Sequence, residues 1–366
     1  MADTEHMRAA LALARRGLGG TWPNPSVGCV IVRDGRVMAR GVTAPGGRPH
    51  AEAVALALAG AAARGATAYV TLEPCSHHGR TPPCADGLIE AGVARVVVAC
   101  GDPDPRVDGR GLARLRAAGV AVTTGVLRAE AEALQVGFLT RVRLGRPMVT
   151  LKLASTLDGR IATASGESQW ITGAEARRAG HALRGNHDAV LVGVGTVLAD
   201  DPALTCRIPG WRQRPVVRVV LDTRLRTPLG SQLVRTARVA PTWLMHGPDA
   251  LAVRRAMLTE AGVMLMEVPA GAGGLDMTGV LQVLGEAGLT RVLAEGGAGM
   301  SGGLLRSRLA DQLAWFHAPA VMGADGLAAS AAYGVAALAE MARFVLERVD
   351  RLGSDVGSYY RRSGSS

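Results

Sequence analysis

TLEPCSHHGRTPPCADGLIEAGVARVV, residues 71–97, reads as the end of a strand, a loop rich in proline, glycine and histidine, a short helix near 83–91 and the opening of a second strand. The first strand starts at TAYVTL (67–72) and the second runs through ARVVVAC (94–100). Upstream, a helix is predicted from about His50 to Arg64. VGCVIV (27–32) and RVMARGV (36–42) flank Asp34-Gly35, a hairpin turn signal. Residues 3–16 read as a helix with Asp3 as N-cap and an apolar face of Met7, Ala10, Leu11 and Ala14. Helices alternating with strands predict a layered α/β domain.

A second βα series follows Arg146-Pro147. Strands are predicted at 148–153, 189–194, 216–221, 242–246, 263–268 and 291–296, with helices near 173–184, 249–261, 278–287 and 299–308. Three late segments, 311–319, 342–350 and 356–361, read as further strands. The boundary falls near 145, predicting domains 1–145 and 146–366. No period of about 20–50 residues recurs, which excludes a solenoid.

The composition, 48% hydrophobic and 20% charged, is that of a folded protein. No apolar run approaches the roughly 18 residues of a membrane span, and the first residues lack the apolar core of a secretory signal. Five cysteines, an odd number in a long chain, do not form a disulfide framework and fit a reducing cytoplasm. The net charge is +10, but the arginines are scattered and aromatic residues make up only 3%, which argues against nucleic acid. Anionic small substrates account for the sign equally well. Of 41 basic residues one is lysine, Lys152; the arginine excess points to a GC-rich genome. A lysine surviving that bias marks a position where arginine cannot serve, unless it survives by chance.

His50-Ala51-Glu52 opens a helix, Pro74-Cys75 closes a strand, and Cys84 follows Pro82-Pro83. One imidazole and two thiolates are the three-ligand set of a catalytic Zn²⁺, which lowers the pKa of bound water to about 7. Glu52 need not bind metal; its carboxylate can pass a proton from water to a departing amine. Singly, such residues are better explained as buried cysteines and a helix-capping histidine. Together, in the order H-x-E, P-C, C, they match the zinc deaminase signature, with C-x8-C in place of the usual C-x2-C. Cys29, Cys100 and Cys206 lie in or beside apolar strands and read as core.

PNPSVGCVIV (23–32), PHAE (49–52) and residues 71–97 closely resemble the bifunctional RibD enzymes of riboflavin biosynthesis. The SHHGRTPP insertion between the cysteines separates these from cytidine and tRNA-adenosine deaminases, and the likeness covers nearly the whole chain. It implies a cytidine-deaminase-like α/β/α layer domain followed by a dihydrofolate-reductase-like α/β domain. By the same resemblance His50, Cys75 and Cys84 hold zinc, Glu52 shuttles the proton, and Asn24 and His77 lie near the pyrimidine. The substrate would be 2,5-diamino-6-ribosylamino-4(3H)-pyrimidinone 5′-phosphate. One departure stands out: Thr43 occupies a position where the family usually has histidine, which weakens or rewires any substrate contact made there.

In the second half, Gly297-Ala298-Gly299-Met300-Ser301-Gly302 satisfies G-x-G-x-x-G between a strand and a helix. It can cradle a pyrophosphate, or it can be glycine packing in a glycine-rich chain. The resemblance implies an NADPH-dependent reductase that converts ribosyl to ribityl. Ala154, Trp170, Thr196, Asp200, Thr223 and Gly297, Ala298, Gly299, Met300, Ser301, Gly302 and Gly303 then fall at cofactor positions. Ser168, Arg184, Leu204, Arg207 and Glu295 fall at substrate positions, the two arginines suiting a phosphate through paired charge-assisted bonds. Lys152, in the strand segment LKL, offers a compact ammonium with three rotatable donors to orient the opened ribose or assist its proton transfer. Asp200 assists through a hydrogen bond, or caps a turn.

The expected function is therefore zinc-dependent deamination followed by NADPH-dependent reduction, on small phosphorylated pyrimidines, with no nucleic-acid or membrane partner. Family likeness adds a homo-oligomer. Two other readings are a nucleoside or tRNA deaminase with an appended domain, and an inactive zinc-stabilised sensor; the C-x8-C spacing opposes the first, and Glu52 with Lys152 the second.

Overall fold

The Asp34-Gly35 turn has positive φ at both positions, 51° and 72°, the twist that suits a tight hairpin between β1 (Gly28–Arg33) and β2 (Arg36–Val42). In this computed structural model, which describes residues 2–79, 82–211, 214–271 and 274–364, the chain separates into two units, Met1–Gly145 and Arg146–Ser366.

The first unit adds β3 (Thr67–Val70), β4 (Arg95–Val98) and β5 (Ala121–Thr124) in the order β2-β1-β3-β4-β5, with β3, β4 and β5 parallel. Helices α1 (Ala2–Gly17), α2 (Ala51–Ala59), α3 (Cys84–Glu90), α4 (Arg110–Ala117) and α5 (Arg128–Leu144) cover it. Two glycines reveal the layering. A Cβ on Gly28 would overlap the Ala10 carbonyl of α1, and one on Gly41 would overlap the Ala51 carbonyl of α2. Gly41 pairs with Cys29, the neighbour of Gly28, so the two glycines face opposite sides. Helices therefore press on both faces, and Cys29, Val30 and Ile31 of β1 are all fully buried.

Asp3 lies within the first turn of α1 instead of capping it, accepting hydrogen bonds from Tyr69 (2.8 Å) and Arg95 (2.7 and 3.0 Å). The segment 110–144, passed over in the sequence reading, holds α4, β5 and α5. Their patterns are weak because α4 buries only Gly111 and Leu115, β5 is a four-residue edge strand, and α5 buries Gln135 among its apolar residues.

The second unit contains β6 (Met148–Ser155), β7 (Arg160–Ala162), α6 (Ala174–Gly185), β8 (Ala189–Gly193), α7 (Val194–Asp200), β9 (Val217–Leu221), α8 (Gln232–Arg235), β10 (Thr242–His246), α9 (Ala252–Glu260) and β11 (Met264–Glu267). A small ribbon of β12 (Ala270–Gly271) and β13 (Gly274–Leu275) precedes α10 (Met277–Glu286), β14 (Arg291–Glu295), α11 (Ala298–Arg306) and β15 (Gln312–His317). After β16 (Leu327–Ala328), which pairs with β7, come β17 (Phe344–Leu352) and β18 (Asp355–Arg362). The main sheet runs β11-β10-β9-β8-β14-β6-β15-β18-β17, parallel from β11 to β15 and antiparallel beyond. The carboxyl ends of β6, β8, β9 and β14 thus share one edge, where ligands bind in open parallel sheets.

One buried cation is structural. Arg218 of β9 is 1% exposed and donates to the carbonyls of Leu233, Thr236 and Ala240 and to the Thr236 and Thr242 hydroxyls. It satisfies carbonyls at the end of α8, while burial alone pulls its pKa down to about 10.

Candidate active sites

In the first unit three elements bring a metal-binding set together. His50 stands at the N-cap of α2, Cys84 is the first residue of α3, and Cys75 lies in the loop after β3. His50 Nδ1 is 3.6 Å from Cys75 Sγ and 3.3 Å from Cys84 Sγ, and the three donor atoms lie within 4.8 Å of one another. The Cys84 backbone N–H donates to Cys75 Sγ at 3.3 Å, so both sulfurs gather at the positive end of α3. The thiols share a proton: the Cys84 S–H holds Cys75 down at about 4, and Cys84 is raised in turn. Two soft sulfurs and an imidazole, one thiol already poised as thiolate, are a donor set that fits Zn²⁺.

Glu52, in the first turn of α2, is 4% exposed; burial and the Cys75 charge push its carboxyl up to about 7. Asn24 donates to the Gly47 carbonyl at 2.8 Å, and its Nδ2 lies 3.4 Å from His50 Nε2, on the far side of the ring from the sulfurs. His77 is half-buried, and its Nδ1 is a buried atom with no partner among the described residues. Arg80 and Thr81 of the insertion lie outside the described residues.

Thr43 is 3% exposed, and its hydroxyl accepts from Val27 N at 2.9 Å, which pins the end of β2 to the start of β1. Two carboxylates were not singled out from sequence. Glu73 accepts from the backbone N–H groups of Gly109, Gly111 and Leu112, fixing the start of α4 behind the cysteine loop. Asp102, two residues after Cys100, is a buried carboxyl pushed up to about 7, mainly by burial, with Asp104, Glu73 and Cys75 adding to it. The signal for Asp102 was its place just beyond the carboxyl end of a parallel strand.

In the second unit a cleft of ≈ 1530 Å³ opens along the carboxyl edge of the sheet. Lys152 and Ala154 of β6, Thr196 and Asp200 of α7, Thr223 and Glu295 line it, with Ser168, Trp170, Arg184, Leu204 and Arg207. Gly297, Gly299, Met300 and Gly303 of the glycine-rich segment also reach it. Ala298, Ser301 and Gly302 do not: the Ala298 carbonyl accepts from Ala331 N, Ser301 is fully buried, and Gly302 packs on Ala331. Leu204 lines the cleft in a left-handed conformation (φ 51°) while its side chain sits in the core.

Glu295 organises the centre. In register it lies opposite Lys152, whose Nζ is 3.8 Å from Oε2, and it accepts from Arg184 Nε (2.6 Å) and Nη2 (3.0 Å). Burial would raise this carboxyl, but the Arg184 and Lys152 charges prevail and hold it near pH 2, to about 2. The fork of Arg184, read from sequence as a phosphate clamp, is thus engaged with a carboxylate. His181, three residues before Arg184 on α6, was missed; helical spacing was the clue. Arg207 Nε donates to His181 Nε2 (3.1 Å), and Nδ1 contacts the Thr205 carbonyl (3.1 Å), which suits a neutral ring. Its pKa is lowered by burial and by both arginines. Trp170 is exposed, with the Arg177 guanidinium 4.8 Å from its ring centre. Cys206 is a half-buried loop residue, not core, since no strand runs through 201–209.

Because the folded pKa of Glu295 is depressed from 4.5 to about 2, its stabilisation is complete above the unfolded value and disappears as pH falls through the folded one. The stability gap between wild type and Glu295→Gln, on the order of 3 kcal/mol at neutral pH, should close between about pH 5 and pH 2 in denaturant titrations. A gap independent of pH would count against the ion triad.

A metal-binding histidine–dithiol set with a buried carboxylate, and a parallel-sheet cleft with a glycine-rich helix start, define a zinc-type deaminase joined to a reductase. The cytidine and deoxycytidylate deaminase zinc-binding region matches residues 1–100, and the RibD C-terminal domain matches residues 147–357. The chain is 43% identical to the riboflavin biosynthesis protein RibD of Escherichia coli, covering 97% of this chain and 98% of that one. With the RibD of Aquifex aeolicus the identity is 40%, over 98% of each. The solved structure of Acinetobacter baumannii RibD superposes with a TM-score of 0.89 at 39% identity, over 99% of both chains. A Thermotoga maritima deaminase/reductase gives 0.85 at 36%, again over 99% of both. The chain belongs to the RibD family, the bifunctional deaminase–reductases of riboflavin biosynthesis.

Proposed function

We propose that the first unit hydrolyses the exocyclic 2-amine of 2,5-diamino-6-ribosylamino-4(3H)-pyrimidinone 5′-phosphate, and that the second reduces the ribosyl group of the deaminated product to ribityl with NADPH. The convergence of His50, Cys75, Cys84 and buried Glu52 on one point carries this reading. His50, Cys75 and Cys84 would hold zinc, which acidifies water when bound. Glu52 takes a proton from the attacking water and delivers it to the departing amine, so that water and amine become carbonyl and ammonia. Asn24 and the unpartnered His77 Nδ1 are available to the pyrimidine.

In the second unit the backbone N–H groups at the start of α11 meet the dinucleotide pyrophosphate. Thr196, Asp200, Thr223, Ala154 and Trp170 line the dinucleotide's path, and Ser168, Leu204 and Arg207 border the sugar phosphate. Lys152 holds the opened ribose and supplies the proton that balances hydride transfer. Glu295 and Arg184 fix the ammonium in place.

Incubation with the diaminopyrimidinone phosphate should release ammonia without NADPH. With NADPH present, one dinucleotide should be oxidised per ammonia. Ammonia release with no fall in NADPH absorbance would remove the reductase half. Metal analysis should find about one zinc per chain, and chelation should stop ammonia release while sparing reduction of the pre-deaminated substrate.

The nine-residue edge strand β17, which exposes Val345, Leu346 and Val349, supports a homo-oligomer, to be checked by sedimentation. The five cysteines are free, and no helix is long and apolar enough to cross a membrane among the described residues, in keeping with a cytoplasmic enzyme.

A further inference from the structure

Helix α6 carries Arg184 and, one turn earlier, His181, so both side chains leave it on one face and reach the cleft. Arg184 is committed: Nε and Nη2 donate to Glu295, and Nη1 donates to the Thr205 carbonyl at 3.2 Å. His181 meets the same carbonyl through Nδ1 at 3.1 Å, and Arg207 Nε donates to its Nε2 at 3.1 Å. Arginine Nε always carries a hydrogen, so Nε2 accepts and the ring proton sits on Nδ1, pointing at Thr205. The backbone N of Arg207 lies 3.4 Å from Nδ1, so main chain and side chain of this residue both rest against the ring.

The consequence falls on Arg207. With Nε held, its Nη1 and Nη2 have no hydrogen-bond or ion-pair partner among the described residues, and the side chain is exposed where it lines the cleft. That terminal pair is the fork that fits two oxygens of one phosphate. An arginine already fixed at Nε loses less freedom on binding than one swinging from an exposed loop.

The surrounding charges favour a neutral ring. Arg177 and Arg178 of α6 share a small hollow with His181, and Arg184 lies one turn on. Arg207 and the half-buried Cys206 come from the loop after α7. Glu295 of β14 faces the ring but is already shared by Arg184 and by Lys152 of β6. Burial, Arg184 and Arg207 accordingly hold the His181 pKa below its ordinary value.

We propose that His181 is a positioning residue: as a neutral acceptor it holds Arg207 with its terminal fork open to the 5′-phosphate of the ribosyl substrate, and on protonation it releases that arginine. This rests on the reductase reading above and adds to it the group that sets the preference for a phosphorylated sugar. His181 touches no reacting atom and acts through Arg207. A proton on Nε2 would set two donors face to face and place a further cation among the arginines.

The test uses the full-length protein with NADPH and the deaminated substrate, with and without its 5′-phosphate. His181→Leu keeps bulk but accepts nothing; it should raise the KM for the phosphorylated substrate about tenfold, with kcat and the KM for the dephosphorylated one within about twofold. His181→Gln can accept from Arg207 through its amide oxygen and donate to Thr205 through its amide nitrogen, so at about pH 8 its KM should stay within about threefold of wild type. Below about pH 6 the phosphate's own titration weakens binding to both proteins. The wild type should lose several-fold more, because its ring takes up a proton and glutamine does not. Should His181→Leu fail to fold, as judged by its melting temperature, the comparison with His181→Gln decides alone. An unchanged KM in His181→Leu, an equal rise for both substrates, or superimposable acid profiles of wild type and His181→Gln would overturn the positioning role and leave the reductase standing. A wild type that oxidises no NADPH with the phosphorylated substrate overturns both.

Discussion

Glu52→Ala should lower ammonia release by between about 10² and 10⁴-fold, with zinc still near one per chain and reduction of the deaminated substrate unchanged. Glu52 is almost fully buried, in the first turn of the helix that His50 caps, yet it is not among the three atoms that converge as metal donors. Its removal takes away the proton carrier and leaves the donor set complete. Glu52→Gln keeps the volume and separates a packing effect from the loss of a titrating carboxyl. If either variant lost its zinc, Glu52 would be a support of the metal and not the proton carrier.

Lys152→Arg conserves charge, and it should still reduce turnover of the reductase about 10²-fold or more while deamination continues. The lysine ammonium fits between Glu295 Oε2 (3.8 Å) and the Phe316 ring (5.8 Å to its centre), beside Gly180 of α6. A guanidinium is broader and carries its charge further from the strand, so it would compete with Arg184 for Glu295 and meet the ribose off line. Displacements of about 1 Å can cost roughly 10²-fold in rate. The KM for NADPH should move by less than about twofold, because the cofactor is held by other residues. Full turnover with arginine would refute a special role for this lysine.

Much of the deaminase site was legible because its parts are local. His50 and Glu52 share one helical turn, and Cys75 and Cys84 bracket a single loop, so a short motif already specifies which atoms converge. Lys152 was flagged by composition alone. The reductase site was legible mostly through family likeness, since its parts come from separate βα units. The Arg184–Glu295 pair joins residues 111 apart, and no periodicity anticipates it. Sequence left the glycine-rich segment as either a cradle or packing; helical geometry brings Gly297, Gly299, Met300 and Gly303 to the cleft and turns Ser301 and Gly302 away from it.

Residue chemistry and order thus determined, from sequence, the family, the two-part α/β architecture and the histidine–dithiol set that converges in the first unit. Tertiary structure decided what each hydroxyl and charge is spent on. Thr43, where the family usually has histidine, spends its hydroxyl on the Val27 backbone N–H. Asp3, read as a cap, is bound to Tyr69 and Arg95. Among 40 arginines, sequence could not choose one for a 2′-phosphate. The fold decides which of them are committed, Arg184 to Glu295 and Arg207 to His181, because a hydrogen bond is a statement about partners, and partners distant in sequence are known only once the chain has folded.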